Sequence, residues 1–250
     1  MNNLLNDKVV LITGAARRVG AGIARHLHAR GARLVLHYRG SRAQAEALAA
    51  ELNAQRPDTV ALAQADLLDT AALPALVADA VGCFGRLDGL VNNASSFYPT
   101  DVGRISEQDW FDLMGSNLKA PLFLAQAAAP YLAANHGAIV GIVDIHAERP
   151  MKRHLVYSLA KAGHAQLIRS LALELAPQVR VNGVSPGVNL WPEDEVSFDS
   201  AERQAIEATI PLQRTGVPDD IARAVAFLLF DTDYVNGQIL AVDGGRSVVL

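Results

Sequence analysis

Short apolar runs alternate with longer amphipathic stretches along the whole chain. The runs are rich in Val, Ile and Leu and are bounded by polar or glycine-containing turns, which is typical of strands buried on both faces. The pattern predicts seven strands, at residues 8–13, 33–38, 60–64, 87–92, 138–144, 179–184 and 238–242.

Helical periodicity fills the intervals between the runs. It predicts helices at residues 20–30, 41–55, 70–84, 107–133, 156–176, 201–208 and 218–230. Ser41 is a suitable N-cap for the second helix, and the fourth accommodates Pro121 only with a kink or a break. Because strands and helices alternate, we expect a single doubly wound α/β domain of the Rossmann type over residues 1–250, with a seven-stranded parallel sheet and helices on both faces.

The longest irregular segment follows the sixth strand, at residues 186–199. In open α/β sheets, ligands bind at the carboxyl ends of the strands, which is where this segment lies. We therefore interpret residues 186–209 as a substrate-loop region rather than as a domain boundary.

Composition and charge exclude several classes of protein. The 22 basic and 26 acidic residues give a net charge of −4, which argues against nucleic-acid binding. The only cysteine, Cys83, excludes an intrachain disulfide and a cysteine metal cluster, and we predict no metal site. No apolar run approaches the roughly 20 residues needed to span a bilayer. The first residues lack the basic and apolar regions of a signal peptide, so we expect a cytoplasmic protein.

A glycine-containing turn joins the first strand to the first helix, with the sequence Thr-Gly-Ala-Ala-Arg-Arg-Val-Gly at residues 13–20. Such a turn lets the backbone approach a pyrophosphate at the helix N-terminus. The spacing is longer than in GxGxxG, and Arg18 stands where a further glycine is expected. Arg18 could reach phosphate oxygens or the substrate; the alternative is a solvated loop charge. The predicted contacts of this turn are Gly14, Arg17, Arg18, Val19 and Gly20.

The end of the second strand distinguishes between two cofactors. A site for NAD places a carboxylate here to bind the ribose 2′-hydroxyl, but no acid occurs until Glu46. Cations and donors suit the 2′-phosphate of NADP instead, although an ordinary basic turn would look the same. The sequence therefore favours NADPH, bound by His37, Tyr38, Arg39 and Ser41.

Two further strand ends supply candidate cofactor contacts. Asp66 could accept a hydrogen bond from the adenine amino group while Leu67 packs on the ring. Asn93 and Ala94, which follow the fourth strand, could border the cofactor ribose.

Tyr157 and Lys161 are four residues apart, which places a phenol and an ammonium on one face of the fifth predicted helix. A nearby ammonium favours the phenolate, and lowering the pKa of tyrosine by about three units requires about 4 kcal/mol. Such a pair is usually only a surface pair. Its position after the fifth strand, beside the expected nicotinamide, makes it a candidate catalytic pair.

Together these motifs resemble the short-chain dehydrogenase/reductase family over essentially the whole chain. The resemblance rests on the 13–20 turn, Asn92-Asn93-Ala94, Asn117, the Tyr157/Lys161 pair and Pro186-Gly187. It implies that Tyr157 is the proton donor and that Lys161 lowers its pKa and holds the nicotinamide ribose. It also implies that Asn117 positions a water for a proton relay, and that Pro186 and Gly187 border the nicotinamide.

Asp144 departs from the family pattern, which has a serine thirteen residues before the tyrosine to hold a substrate carbonyl. A carboxylate is a poor hydrogen-bond donor to a carbonyl oxygen, but it accepts well from an amino-heterocycle. Asp144 therefore points away from simple alcohols and ketones and is a candidate catalytic and substrate-binding residue.

Further features resemble the pteridine reductase branch of this family: the Ala15–Arg18 loop, the 37–41 strand end and the run at 92–100. The resemblance implies that Phe97 stacks a pterin against the nicotinamide, as suits a planar ring. It implies that Ser95 contacts substrate and cofactor, and that Arg18 meets the phosphates and the substrate edge. Trp191 could wall the pocket. Gly40 stands where relatives often carry a basic residue, which would weaken the hold on the 2′-phosphate.

Three hypotheses follow. The first is an NADPH-dependent pteridine reductase that acts on a small pterin or folate substrate. The second is a carbonyl reductase of the same fold, acting on a 3-oxoacyl thioester or a sugar. The third is a non-catalytic NADP-binding sensor. By resemblance we also expect a homotetramer that associates through the helices containing Asn117 and Tyr157.

Overall fold

Seven parallel strands form one sheet in the computed structural model, which describes residues 5–191 and 199–249. The strands are β1 (Val9–Ile12), β2 (Arg33–Tyr38), β3 (Val60–Gln64), β4 (Gly89–Asn92), β5 (Ala138–Ile142), β6 (Arg180–Pro186) and β7 (Ile239–Val242). They lie in the order β3-β2-β1-β4-β5-β6-β7. The predicted Rossmann-type α/β fold is confirmed.

Helices connect the strands, and the longer ones fall where periodicity predicts them. They are α1 (Arg18–Ala29), α2 (Arg42–Gln55), α3 (Leu73–Phe84), α4 (Glu107–Met114), α5 (Ala120–Ala134), α6 (Leu155–Glu174), α7 (Ser200–Ala208), α8 (Pro218–Ala226) and α9 (Arg246–Val249). The single turn α9 and a 3-10 turn at Ile145–Ala147 were not predicted, because one turn is too short to show a period.

Alternate residues of β1 face opposite layers of helices. Val10 and Ile12 pack with the side chains of α1, α2 and α8, whereas Val9 and Leu11 pack with those of α3, α5 and α6. All four side chains are completely buried, and each contributes about 1.5–3 kcal/mol of hydrophobic stabilisation. This two-sided burial explains why the strands read as unbroken apolar runs.

The long helical segment predicted at 107–133 is interrupted, as Pro121 requires. A π-helical turn, Gly115–Lys119, separates α4 from α5. Pro121 has no N–H to donate to the carbonyl four residues earlier, and that carbonyl belongs to Asn117, in the middle of the turn. Single π turns inside helices occur frequently at functional sites.

The strand order reverses between β1 and β4, which opens a crevice at their carboxyl ends. Thr13 fastens the two strand ends together: its Oγ1 donates to the Val91 carbonyl and accepts from the N–H groups of Asn93 and Ala94 at 2.9 and 3.0 Å. The sequence marks Thr13 only as part of a motif, whereas the structure gives it this positioning role. No helix among the described residues is long and apolar enough to cross a membrane.

Candidate active site

A cavity of about 640 Å³ runs along the carboxyl edge of the sheet. Every site residue predicted from the sequence except Asn117 lines it. These residues are Gly14, Arg17, Arg18, Val19, Gly20, His37, Tyr38, Arg39, Ser41, Asp66, Leu67, Asn93, Ala94, Ser95, Phe97, Asp144, Tyr157, Lys161, Pro186, Gly187 and Trp191.

At Gly14 and Gly20 the glycine turn has no room for a side chain, so its backbone borders the cavity there. Gly14 has a φ of +60°, and a Cβ on Gly20 would lie 2.4 Å from the Gly14 carbonyl oxygen. Asn93 Nδ2 donates to the carbonyls of Thr13 and Gly14, at 2.9 and 3.0 Å. The backbone N–H groups at the start of α1 suit a dinucleotide pyrophosphate, and the first turn of this helix carries no acid that would repel it.

Arg18 occupies a glycine conformation. Its φ is +54°, in the left-handed region that costs other residues roughly 1–2 kcal/mol. Its guanidinium donates to the carbonyls of Leu190 and Trp191, at 2.8 and 3.0 Å. Arg18 therefore joins the glycine turn to the loop after β6, and its contacts with phosphate and substrate stay predictions.

The opposite end of the cavity suits an anion. Arg39 is exposed, and Ser41 lies at the N-cap of α2, where its side chain makes no cap hydrogen bond. No acid lies in the first turn of α2, so the positive end of the helix dipole is not neutralised locally. Asp66 is exposed and accepts from the Leu68 N–H, while Leu67 is buried beside it.

His37 holds the glycine turn instead of facing an anion. Its Nδ1 accepts from the Gly14 N–H, and its Nε2 lies 3.2 Å from the Ala65 carbonyl oxygen. Burial lowers the pKa of His37 to about 4, so the ring is neutral near pH 7. The sequence-based role of His37 as a 2′-phosphate contact is corrected on these grounds, since both ring nitrogens are already engaged.

His164 is a second buried, neutral histidine, one turn after Lys161 on α6. Its Nδ1 is buried without a hydrogen-bond partner in the part of the chain that the structure describes. Burial, and then the charge of Lys161, lower the pKa of His164 to about 3.

These two histidines make stability depend on pH. Their pKa values lie below the ordinary 6.5, so the unfolded chain binds more protons and stability is lost as the pH falls below about 6.5. We expect each histidine to remove about 2 kcal/mol from the free energy of unfolding between pH 7 and pH 5, as measured by urea titration. His164→Leu should remove about half of that loss. An unchanged pH dependence in this variant would contradict the assignment.

Tyr157 is paired with Asp144 rather than with Lys161. The Tyr157 hydroxyl donates to Asp144 Oδ2 at 2.7 Å, and Asp144 Oδ1 accepts from the His146 N–H at 2.9 Å. Lys161 Nζ donates to the Ile142 carbonyl at 2.9 Å and lies 5.7 Å from the Tyr157 ring centre. This hydrogen bond holds the Lys161 side chain at the end of β5.

The expected lowering of the tyrosine pKa is wrong for this arrangement. Burial, followed by the carboxylate of Asp144, raises the pKa of Tyr157 well above its usual value. Burial also lowers the pKa of Lys161 to about 8, which weakens its capacity to stabilise a phenolate at higher pH. Tyr157 consequently keeps its proton near neutrality, as a proton donor must.

Phe97 borders Tyr157. Its ring stacks on His154, with centroids 4.6 Å apart and an interplanar angle of 12°, and meets Tyr157 edge-on at 4.8 Å. The side chain is still 40% exposed and lines the cavity. A rigidly supported aromatic surface therefore stands beside the Tyr157 hydroxyl.

Asn117 lies behind the cavity wall. It is buried, accepts from Ser95 Oγ at 2.7 Å, and donates through Nδ2 to the carbonyls of Ser96 and Leu113 at 3.0 Å. These bonds hold the segment before Phe97 in place. The role of Asn117 in positioning a water stays a prediction.

Sequence reasoning missed Arg246, which also lines the cavity. A signal was present, because Arg246 follows the last strand and therefore lies at the same carboxyl edge as the other site residues. Trp191 lines the cavity too, with the Arg203 guanidinium 5.5 Å from its ring centre. The predicted substrate loop includes residues 192–198, which lie outside the described residues.

Comparisons with known proteins agree with this geometry. A family model described as enoyl-(acyl carrier protein) reductase matches residues 14–247. The chain is 38% identical to pteridine reductase 1 of Leishmania tarentolae, over 96% of both chains. It is 36% identical to the 3-oxoacyl-[acyl-carrier-protein] reductase FabG of Staphylococcus aureus, over 95% of this chain and 97% of that one. It is 34% identical to the short chain dehydrogenase mdpC of Emericella nidulans, over 97% and 96%. The chain therefore belongs to the short-chain dehydrogenase/reductase family and is an oxidoreductase that depends on a pyridine nucleotide.

Proposed function

We propose that this protein is an NADPH-dependent pteridine reductase, which reduces the ring of a pterin or dihydropterin. The observation that carries the proposal is the hydrogen bond of 2.7 Å between the Tyr157 hydroxyl and Asp144 Oδ2. Where a carbonyl reductase needs a donor, this chain has an acceptor that shares a proton with the catalytic tyrosine.

This pair suits the reduction of a carbon–nitrogen double bond. Bound NADPH would supply a hydride to the ring carbon. Tyr157 supplies the proton that the ring nitrogen takes up, and Asp144 accepts from ring N–H or amino groups. Phe97 offers a partly exposed aromatic face on which a flat ring can stack, and Asn117 holds the nearby Ser95 through a hydrogen bond.

The choice of NADPH rests on the adenosine end of the cavity. Arg39 and the Ser41 hydroxyl stand beside the N-terminus of α2, where the first turn carries no acid. Such a group of donors complements a 2′-phosphate. Arg42 is not included among these donors, because its guanidinium already donates to Gln64 and Glu46.

Pteridine reductase 1 of Leishmania tarentolae supports this substrate class at 38% identity. The FabG relative, at 36%, makes 3-oxoacyl thioester reduction the second candidate. Asp144 favours the first, because its carboxylate offers no hydrogen to a substrate carbonyl.

A substrate panel tests the proposal. We expect oxidation of NADPH, followed by absorbance, with dihydrobiopterin or dihydrofolate, at a kcat/KM at least about 100-fold above that for a 3-oxoacyl thioester. NADH should serve less well than NADPH. Turnover of the thioester without turnover of any pterin would refute the proposal and establish the second candidate.

We also propose that the protein is a cytoplasmic homotetramer, and that the described parts of the substrate-loop region, residues 186–191 and 199–209, border the substrate. Exposed apolar side chains on α4 and α6 support association through these helices, namely Trp110, Phe111, Leu155 and Leu159. Apolar patches of this kind commonly mark protein interfaces. Light scattering of the purified protein gives the subunit number directly.

A further inference from the structure

Arg246 is a buried cation at the edge of the active-site cavity. Only 8% of the residue is exposed, and it lines the same cavity as Asp144, Phe97 and Tyr157. Arginine is almost never buried to this extent unless it is paired. The position of Arg246 therefore requires an explanation in terms of a partner.

Among the residues that the structure describes, Arg246 has only a weak partner. Arg246 Nε donates to Thr209 Oγ1 at 3.2 Å, and no carboxylate of a described residue forms an ion pair with the guanidinium. The nearest acid in sequence, Asp243, is engaged by the backbone, because it accepts from the N–H groups of Gly245 and Ser247 at 2.9 and 2.7 Å. Asp144 is bound to Tyr157 and to the His146 N–H, and it acts on Arg246 only through its electrostatic field.

The surroundings hold the guanidinium in place. The bonds of Asp243 to residues 245 and 247 fix the turn that begins α9, and Thr209 anchors Nε from the end of α7. Trp191 and Ile206 line the same cavity and provide apolar walls. A fixed guanidinium in a partly apolar cavity binds a carboxylate strongly, through two parallel hydrogen bonds.

We propose that Arg246 binds a carboxylate carried on the side chain of the substrate, so that the enzyme prefers anionic pterins to neutral ones. This inference rests on the proposed function, since it names the pterin class that the same cavity accepts. A carboxylate attached directly to the ring and one carried on a longer folate-type side chain share this chemistry, and the experiment distinguishes them.

The test measures binding to protein loaded with NADP, by quenching of pterin fluorescence. We expect pterin-6-carboxylate or folate to bind at least about tenfold more tightly than 6-hydroxymethylpterin. Arg246→Met should reduce that ratio to about one, whereas Arg104→Met, which removes an exposed arginine outside the cavity, should preserve it. If Arg246→Met does not fold, Arg246→Lys replaces it, because it keeps the charge without the two-pronged geometry and should lower the ratio at least about threefold.

Each outcome has a distinct meaning. If Arg246→Met weakens the binding of pterin-6-carboxylate but not of folate, the bound carboxylate is the one attached to the ring. If it weakens the binding of folate but not of pterin-6-carboxylate, the bound carboxylate is the one on the longer side chain. Equal binding of the charged and neutral pterins by the unaltered protein overturns the inference but leaves the proposed function standing. If Arg246→Met weakens the binding of charged and neutral pterins equally, the inference is also overturned, because Arg246 would then act through Asp144. Failure of every pterin to bind refutes the proposed function itself.

Discussion

Replacing Tyr157 by Phe is expected to lower kcat for pterin reduction by at least about 100-fold. The variant removes the hydroxyl that donates to Asp144 but keeps the ring that packs edge-on against Phe97. Binding of NADPH and of pterin should therefore change little, so the loss should lie in kcat. Stopped-flow single turnovers with NADPH measure the chemical step separately from binding.

Tyr98 provides a matched control for this variant. Like Tyr157 it is a tyrosine paired with an aspartate, and burial together with Asp112 raises its pKa to about 12, but it does not line the cavity. Tyr98→Phe should retain nearly full activity. A Tyr157→Phe protein with a kcat close to that of the unaltered enzyme would show that the proton comes from another group.

Replacing Asp144 by Ser is expected to have the second large effect. Serine can still accept from the His146 N–H as the cap of the 3-10 turn, so the local fold should persist. The kcat/KM for pterins should fall at least about 100-fold, while reduction of a 3-oxoacyl thioester should appear or increase, because serine can donate to a carbonyl oxygen. Turnover of pterins within about threefold of the original would remove the basis for placing Asp144 in the reaction.

Asp144→Asn separates charge from shape. Asparagine keeps an oxygen that can accept from Tyr157 but carries no negative charge. Because the carboxylate is one cause of the raised pKa of Tyr157, its removal should lower that pKa. In the proposed reaction Tyr157 donates its proton, so the alkaline limb of the kcat profile should move to lower pH in this variant. A limb at the original pH would indicate that it reports another group.

The architecture can be predicted well from the sequence because most strands of this fold have the same property. Strands covered on both faces must be apolar throughout, as β1 and β5 are, and such runs are visible without knowledge of their neighbours. The four-residue spacing of Tyr157 and Lys161 is likewise a local property of one helix. The interruption near Pro121 follows from a missing N–H, which the residue type alone reveals.

Properties that depend on distant neighbours were predicted less well. His37 looks like a phosphate ligand until its burial and its bond to Gly14 are known. Lys161 looks like the partner of Tyr157, but in the structure the Tyr157 hydroxyl donates to Asp144 and the Lys161 ammonium donates to the Ile142 carbonyl. Arg246 belongs to a single-turn helix without a period, so its place after the last strand was the only local sign that it reaches the cavity. In each case the deciding contact joins separate elements of the chain.

The left-handed backbone of Arg18 bears on how improved variants of this protein should be selected. Glycine adopts a φ of +54° without the cost of roughly 1–2 kcal/mol that arginine carries there. A search for heat-resistant variants would therefore favour Arg18→Gly, although that exchange breaks the link to the carbonyls of Leu190 and Trp191. Thermal screening of a library should for this reason be paired with an activity screen, since at this position the two criteria select opposite residues.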